Sequence, residues 1–254
     1  MEYQYKDAHV HLLGKKIFRE FELFRKNWLE SGIKNIINMS STLNESKKSL
    51  KLLEYPEIIL GVGKHPWKIK SVIFDEQVEF ENLISSKEFT IIGEVGLDYY
   101  AIKDEARYKF QKEWFEFFIS MSNKYKKPLN VHVTGAEEDI VMLLNKNWDR
   151  QSTVNIHWYS GTIETFEKLK QLGCYFSVNP AVHYSKNHIA IVSKIPDDKL
   201  LTESDGDVFY KPITQLGEPG IIPKVVDKIC VIRNTDKKEM CNIIDLNFEK
   251  YLQQ

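Results

Sequence analysis

Short apolar runs alternate along this chain with longer segments whose apolar positions return every three or four residues. The short runs read as strands at residues 5–11, 34–40, 58–63, 90–97, 128–133, 153–157, 174–178 and 199–205, with helices between them. The clearest helix is predicted at 105–126. There Phe110, Trp114, Phe117, Phe118, Met121 and Tyr125 form one apolar stripe suited to packing on a sheet. Pro128 ends that helix and opens the next strand. Strands separated by helix-length crossovers pair in parallel. Eight of them fit an α/β fold of the (β/α)8 TIM barrel type, which closes without a spare edge; a doubly wound open sheet is the alternative. No Gly/Ser linker or low-complexity tract divides the chain, so one domain is expected over residues 1–254.

The positions of the polar residues favour the barrel. His9 and His11, His65, Glu94, His132, His157 and Asp205 all fall at or just past the C-terminal ends of predicted strands. Barrel enzymes build their sites on that rim, whereas an open sheet does not gather so many strand ends at one point. In Asp7-Ala8-His9-Val10-His11 the two imidazoles, at i and i+2 on an extended segment, point to one side. Held that way they can grip one metal ion; two core histidines with polar partners are the other reading. Glu94 stands in the apolar run Ile91-Ile92-Gly93-Glu94-Val95-Gly96-Leu97. A carboxylate there is costly unless it meets a cation or a salt-bridge partner. His132 and His157 each end an apolar run and, taken singly, suit a core position; Asp205 alone reads as a turn aspartate. Together, four histidines and two carboxylates on separate strand ends match two adjacent divalent cations sharing a carboxylate bridge, an arrangement that activates water for hydrolysis. Histidine-rich ligation suits Zn²⁺, while phosphodiester chemistry in a mixed nitrogen and oxygen site suits Mg²⁺ or Mn²⁺.

These residues also lie in a recognisable order. Asp7-Ala8-His9-Val10-His11, Gly63-Lys64-His65-Pro66, Gly93-Glu94-Val95-Gly96-Leu97-Asp98-Tyr99, Val131-His132, His157-Trp158-Tyr159-Ser160-Gly161 and Thr202-Glu203-Ser204-Asp205 follow one another along nearly the whole chain. Gly217-Glu218-Pro219 and Asn247-Phe248 come after them. The set resembles the TatD-type metal-dependent deoxyribonucleases of the amidohydrolase-like superfamily. The resemblance implies a metal-dependent hydrolase barrel that cleaves phosphodiester bonds, with DNA, single-stranded and attacked from an end, as substrate. It implies that His9, His11 and Asp205 hold one metal, that His132 and His157 hold the second, and that Glu94 bridges them. Asp205 and Glu94 are then the catalytic carboxylates, Asp205 as general base, and His65 is a substrate-binding residue facing the scissile phosphate. His65 structuring its own turn is the competing reading. The family usually carries an arginine two residues after the fifth-strand histidine; Thr134 stands there instead. That removes the side chain best suited to bidentate phosphate contact. Trp67, Tyr99, Tyr100, Trp158 and Tyr159 lie beside the motifs and are candidates for stacking on bases.

Composition narrows the partners. A formal net charge of −1 gives no global basic field, so contact with nucleic acid falls to a local cleft. Cys174, Cys230 and Cys241 are odd in number and show no Cys-x-x-Cys spacing, which favours a reducing, cytoplasmic setting. Residues 1–6 lead into no apolar run, so no signal peptide is expected, and no uninterrupted apolar stretch is long enough to suggest a membrane span. A monomer is expected. Two other functions fit the fold: a metal-dependent hydrolase of a small ester, lactone, amide or phosphoester, and a non-catalytic binding subunit. The complete ligand set argues against the second.

Overall fold

The computed structural model describes residues 3–252; residues 1, 2, 253 and 254 lie outside the described residues, and with them the start of the N-terminal stretch read above for a signal peptide. Eight parallel strands pair in chain order: β1 Tyr5–Val10, β2 Ile33–Asn38, β3 Ile58–Val62, β4 Phe89–Asp98, β5 Leu129–Thr134, β6 Val154–His157, β7 Tyr175–Val178 and β8 Leu200–Thr202. Helices fill the intervals, as the crossover rule for parallel strands requires. The expected barrel is therefore the observed fold.

Its closure is uneven. Ladders join each strand to the next from β1 to β8, but none joins β8 back to β1 among the described residues. Side-chain and loop bonds take over at that seam. The Thr202 hydroxyl donates to Lys6 O at 2.7 Å, and Ser204 N–H donates to the Asp7 carboxylate at 3.0 Å. Beyond the strand, Asp205 N–H reaches His9 O at 3.0 Å and His11 N–H reaches Gly206 O at 2.5 Å. This explains why β8 stops at Thr202 when the apolar pattern ran to 205: the chain turns away from β7 to bond with β1, with Asp205 in the left-handed region at φ 47°.

Successive strand residues face opposite ways and feed two cores. Ile36, Ile92, Phe176 and Leu200 belong to the large cluster under the helices. Their neighbours Ile37, Ile91, Tyr175 and Leu201 belong to a small second cluster with Phe248 and Tyr251 of the final helix, Lys237–Leu252. The Tyr251 hydroxyl donates to Leu129 O at 3.0 Å, fixing that helix against β5. At the other end of the interior, polar side chains replace apolar ones.

The long helix spans Glu105–Tyr125, capped by the Asp104 side chain and ended by Lys126 in the left-handed conformation. Its buried face differs from the expected stripe. Tyr108, Gln111, Trp114, Phe115, Phe118, Ile119, Met121 and Ser122 are buried, while Phe110, Phe117 and Tyr125 are only partly covered. Aromatic spacing alone misses this rotation because Gln111 and Ser122 look polar, yet both find buried partners: Gln111 brackets the Asp98 backbone, and the Ser122 hydroxyl donates to Lys127 O.

Gly96 sits two residues after Glu94 at φ 141°, where a Cβ would lie 2.0 Å from the His132 carbonyl oxygen. The residue lets β4 press against β5 where the two carry site residues. Gly96→Ala is expected to lower unfolding free energy by about 3 kcal/mol or more, read as a reduced midpoint in urea; an unchanged midpoint would show that β4 tolerates a side chain there.

Candidate metal centre

All seven residues singled out in the sequence converge on one spot at the C-terminal mouth of the barrel. His9 lies within β1 and His11 one residue past it, on the same side, with their Nε2 atoms 3.2 Å apart. Glu94 sits in the middle of β4 rather than at its end, since β4 runs on to Asp98. His132 projects from β5 and His157 from the last position of β6, with His132 Nδ1 3.3 Å from His157 Nε2. Asp205 comes from the loop after β8, its Oδ1 3.5 Å from His9 Nε2. His65 follows β3.

Glu94 divides its two oxygens between the histidine pairs. Its Oε2 lies 3.1 Å from His11 Nε2 and 3.9 Å from His9 Nε2. Its Oε1 lies 3.0 Å from His132 Nδ1 and 3.0 Å from His157 Nε2. Two nitrogen ligands on one ion, each about 2.1 Å away, stand roughly 3.0–3.4 Å apart for bond angles between octahedral and tetrahedral. Both histidine pairs have that bite. The donor set fits divalent cations: His9, His11 and Glu94 lie close enough to share one ion, as do His9, His157 and Asp205, while His132 Nδ1, His157 Nε2 and Glu94 Oε1 lie within 3.3 Å of one another.

Hydrogen bonds on the far side of two of the rings, His9 and His132, decide which nitrogen is free. Asn130 Oδ1 accepts from His9 Nδ1 at 2.8 Å, so the His9 Nε2 lone pair faces the centre. Asp98 Oδ2 accepts from His132 Nε2 at 3.0 Å, which turns Nδ1 inward. His157 Nδ1 lies 3.5 Å from Glu203 Oε1, an ion-pair approach without hydrogen-bond alignment. Glu203 is itself fully buried, held by Ser177, by Asn179 at 3.4 Å and by the Trp158 N–H at 2.9 Å. Orienting partners of this kind fix ligand tautomers. Asp98 and Glu203 lie inside recognised motifs and Asn130 two residues before His132, yet no spacing rule assigns them these jobs.

His65 differs from the other histidines. Its Nδ1 accepts the Trp67 N–H at 3.1 Å, capping the turn Pro66–Lys68, so its Nε2 carries a proton and donates to Glu94 Oε1 at 3.3 Å. It therefore structures its turn, as one reading had it, while presenting an N–H to the centre. Although it falls within a geometrically plausible cation cluster, a donor at Nε2 is not a ligand there.

Burial sets the electrostatics. Desolvation pushes the Asp205 carboxyl up to about 7 and the Asp7 carboxyl up to about 8. Burial acts the same way on Glu94, but His65 and the hydrogen bonds from His11, His132 and His157 outweigh it and hold Glu94 well below the usual carboxylate range. Burial alone lowers an imidazole, and His9 and His65 are lowered. It is overcome at His11, raised to about 9 chiefly by Glu94, and at His157, held well above its ordinary value by Glu203 and Glu94.

Around this centre opens a cleft of about 770 Å³ whose lining includes Trp67, Tyr100, Trp158, Lys68 and Thr134. Two stacking candidates drop out: Tyr159 is buried, and Tyr99 packs on Tyr108 at 4.6 Å. A family profile described as TatD related DNase matches residues 6–253. The chain belongs to the TatD family of metal-dependent hydrolases. An uncharacterized metal-dependent hydrolase of Methanocaldococcus jannaschii is 30% identical over 99% of this chain and 98% of its own length. A protein of Citrobacter rodentium named 3'-5' ssDNA/RNA exonuclease TatD is 23% identical over 96% of each chain. A TatD homologue from Escherichia coli superposes with a TM-score of 0.90 at 20% identity, covering 99% of this chain and 98% of that one. The fold is thus shared along almost the full length of both chains.

Because His11 and His157 hold protons into the neutral range, a cation must displace them to bind. Affinity is then weakest below those pKa values and rises with pH. Mn²⁺ is expected to bind at least tenfold more weakly at pH 6 than at pH 8 and to release protons, as calorimetry in buffers of different ionisation enthalpy would show. A pH-independent affinity without proton release contradicts this ligand set.

Proposed function

We propose that this TatD-family hydrolase is a deoxyribonuclease that trims single-stranded DNA from an end, using two divalent cations. The observation that carries the reading is the split of Glu94: one oxygen toward His9 and His11, the other toward His132 and His157. On this reading His9, His11 and Asp205 hold one cation, His132 and His157 the other, and Glu94 bridges them. The cations, Zn²⁺, Mg²⁺ or Mn²⁺, supply charge neutralisation at the phosphate and lower the pKa of water.

The chain's own groups do the rest. Asp205, its Oδ1 3.5 Å from His9 Nε2, sits in the centre where it can take a proton from the attacking water. His65 offers its Nε2–H to a phosphate oxygen. Trp67 is 51% exposed and Tyr100 73% exposed on the cleft wall, placed for stacking on unpaired bases. Lys68, exposed, is the one lysine or arginine among the described residues lining the cleft and takes the place of the missing arginine as the cationic contact. The exonuclease name carried by the Citrobacter relative supports the substrate class and extends it to RNA. Three unpaired cysteines, and no helix among the described residues long and apolar enough to cross a membrane, accord with a cytoplasmic site of action.

One observation favours a second reading. The cleft sets Lys68 alone against Glu45 and Asp207 at its margin, with Thr134 where a guanidinium is usual. That balance suits a small neutral ester, lactone, amide or phosphoester better than a polyanion.

End-labelled single-stranded DNA and RNA incubated with Mg²⁺, Mn²⁺ or Zn²⁺ are expected to give a ladder that EDTA abolishes. Asp205→Asn is expected to reduce kcat by about 10³-fold or more. Intact oligonucleotide beside cleavage of a small ester would transfer the assignment to the second reading. Lys68→Ala is expected to raise KM about tenfold with little change in kcat, and to flatten the salt dependence of cleavage. Identical salt dependence in that variant would remove Lys68 from the phosphate contact.

A further inference from the structure

Asp98 is 2% exposed and lies outside the proposed ligand set, yet its carboxylate touches both the metal centre and the substrate wall of the cleft. One oxygen, Oδ2, accepts two N–H donors: His132 Nε2 at 3.0 Å and the Trp67 indole Nε1 at 2.6 Å. The other, Oδ1, accepts the Ala101 N–H at 2.7 Å. Its backbone is clamped on both sides by Gln111, which is fully buried: Gln111 Oε1 accepts the Asp98 N–H at 2.8 Å and Gln111 Nε2 donates to Asp98 O at 3.3 Å. The carboxylate therefore cannot swing away from either donor without breaking several bonds.

Trp67 is free on one side only. Its turn begins at Pro66, its carbonyl accepts Arg107 at 3.0 Å, and its ring meets His65 edge-on at 4.8 Å and His132 at 6.2 Å. The indole bond to Asp98 is what fixes its rotation while half of its surface faces the cleft.

We infer that Asp98 is a positioning residue that couples the two halves of the site: the orientation of the His132 ring and the placement of the Trp67 indole are set by one shared oxygen. This rests on the metal-hydrolase reading above, with Trp67 as a substrate-facing side chain. A cation drawn to His132 Nδ1 makes the opposite N–H more acidic and strengthens its claim on Oδ2. The hold on the indole loosens in return, so loading the centre moves the aromatic wall. Conversely, removing the indole N–H leaves the whole oxygen to His132.

The test uses the full chain and Mn²⁺ alone. The signal of Trp67 is isolated as the difference in tryptophan fluorescence between wild type and Trp67→Phe. In the wild type this difference signal is expected to change on titration with Mn²⁺. Asp98→Asn leaves one acceptor oxygen in place of two: kept on His132 and Trp67 it sets the amide NH2 against the Ala101 N–H, and kept on Ala101 it sets the NH2 against both ring donors. At least one Mn²⁺ binding step, followed by calorimetry, is then expected to weaken tenfold or more, and the Trp67 response to vanish. Trp67→Phe, an exposed substitution that leaves the fold alone, is expected to bind Mn²⁺ about threefold more tightly. Wild-type Mn²⁺ affinity in Asp98→Asn, or a preserved Trp67 response there, overturns the coupling. Should Asp98→Asn fail to fold, Trp67→Phe decides alone, because unchanged Mn²⁺ affinity in that variant refutes the shared oxygen. No arm contains nucleic acid, so failure of the nuclease reading shows separately, as intact oligonucleotide in the presence of a normal Mn²⁺ response.

Discussion

A carboxylate buried to 2% exposure in the middle of a strand is the constraint on which this molecule turns. Glu94 stays ionised there because imidazoles surround it, drawn from four places in the chain: His9 and His11 at the end of β1, His65 after β3, His132 on β5 and His157 on β6. A charge in that setting is tolerable only if its surroundings are strictly arranged. The glycines beside it answer the same demand. Gly93 has no room for a Cβ against Asn130, and Gly63 none against the backbone at Gly93 and Glu94. The strands close in on Glu94 because these positions carry no side chain.

Polar support continues outward in layers. Asn130, Asp98 and Glu203 each fix one ring, and each is fixed in turn: Asn130 Nδ2 by Ala8 O at 3.2 Å, Asp98 by Gln111 and Glu203 by Ser177. Such networks stand or fall together, since an unsatisfied member in a low-dielectric interior is costly. The same device holds the barrel seam, where Asp7 receives Ser204 N–H and its second oxygen has no partner. Burial that raises the Asp7 carboxyl is the counterpart of that missing bond.

Much of this was legible from residue order. Parallel strands, the barrel and the seven converging side chains follow from apolar runs, crossover lengths and the placement of His, Glu and Asp at strand ends. Other features were not legible because they depend on register. The long helix turns a face containing Gln111 and Ser122 inward, since a polar side chain with a buried partner counts as core, and no hydropathy pattern reveals a partner. The last strand stops short because its continuation bonds across the seam instead of along the ladder. The orienting residues stayed hidden for a similar reason: Asn130, Asp98 and Glu203 act across strands, at distances of sequence that spacing rules do not reach.

The seam also has a consequence for how the chain comes into being. Every other junction of the barrel joins consecutive strands, so it needs no segment later in the chain than its second strand. The junction of β1 with the segment after β8 brings His9 together with Asp205 across nearly the whole length of synthesis. His11 waits, with Asp205 still unmade, while the 193 residues between them are translated. A chain stalled before that point lacks Asp205 beside His9, so the seven converging side chains come together only once the chain has been read past its last strand.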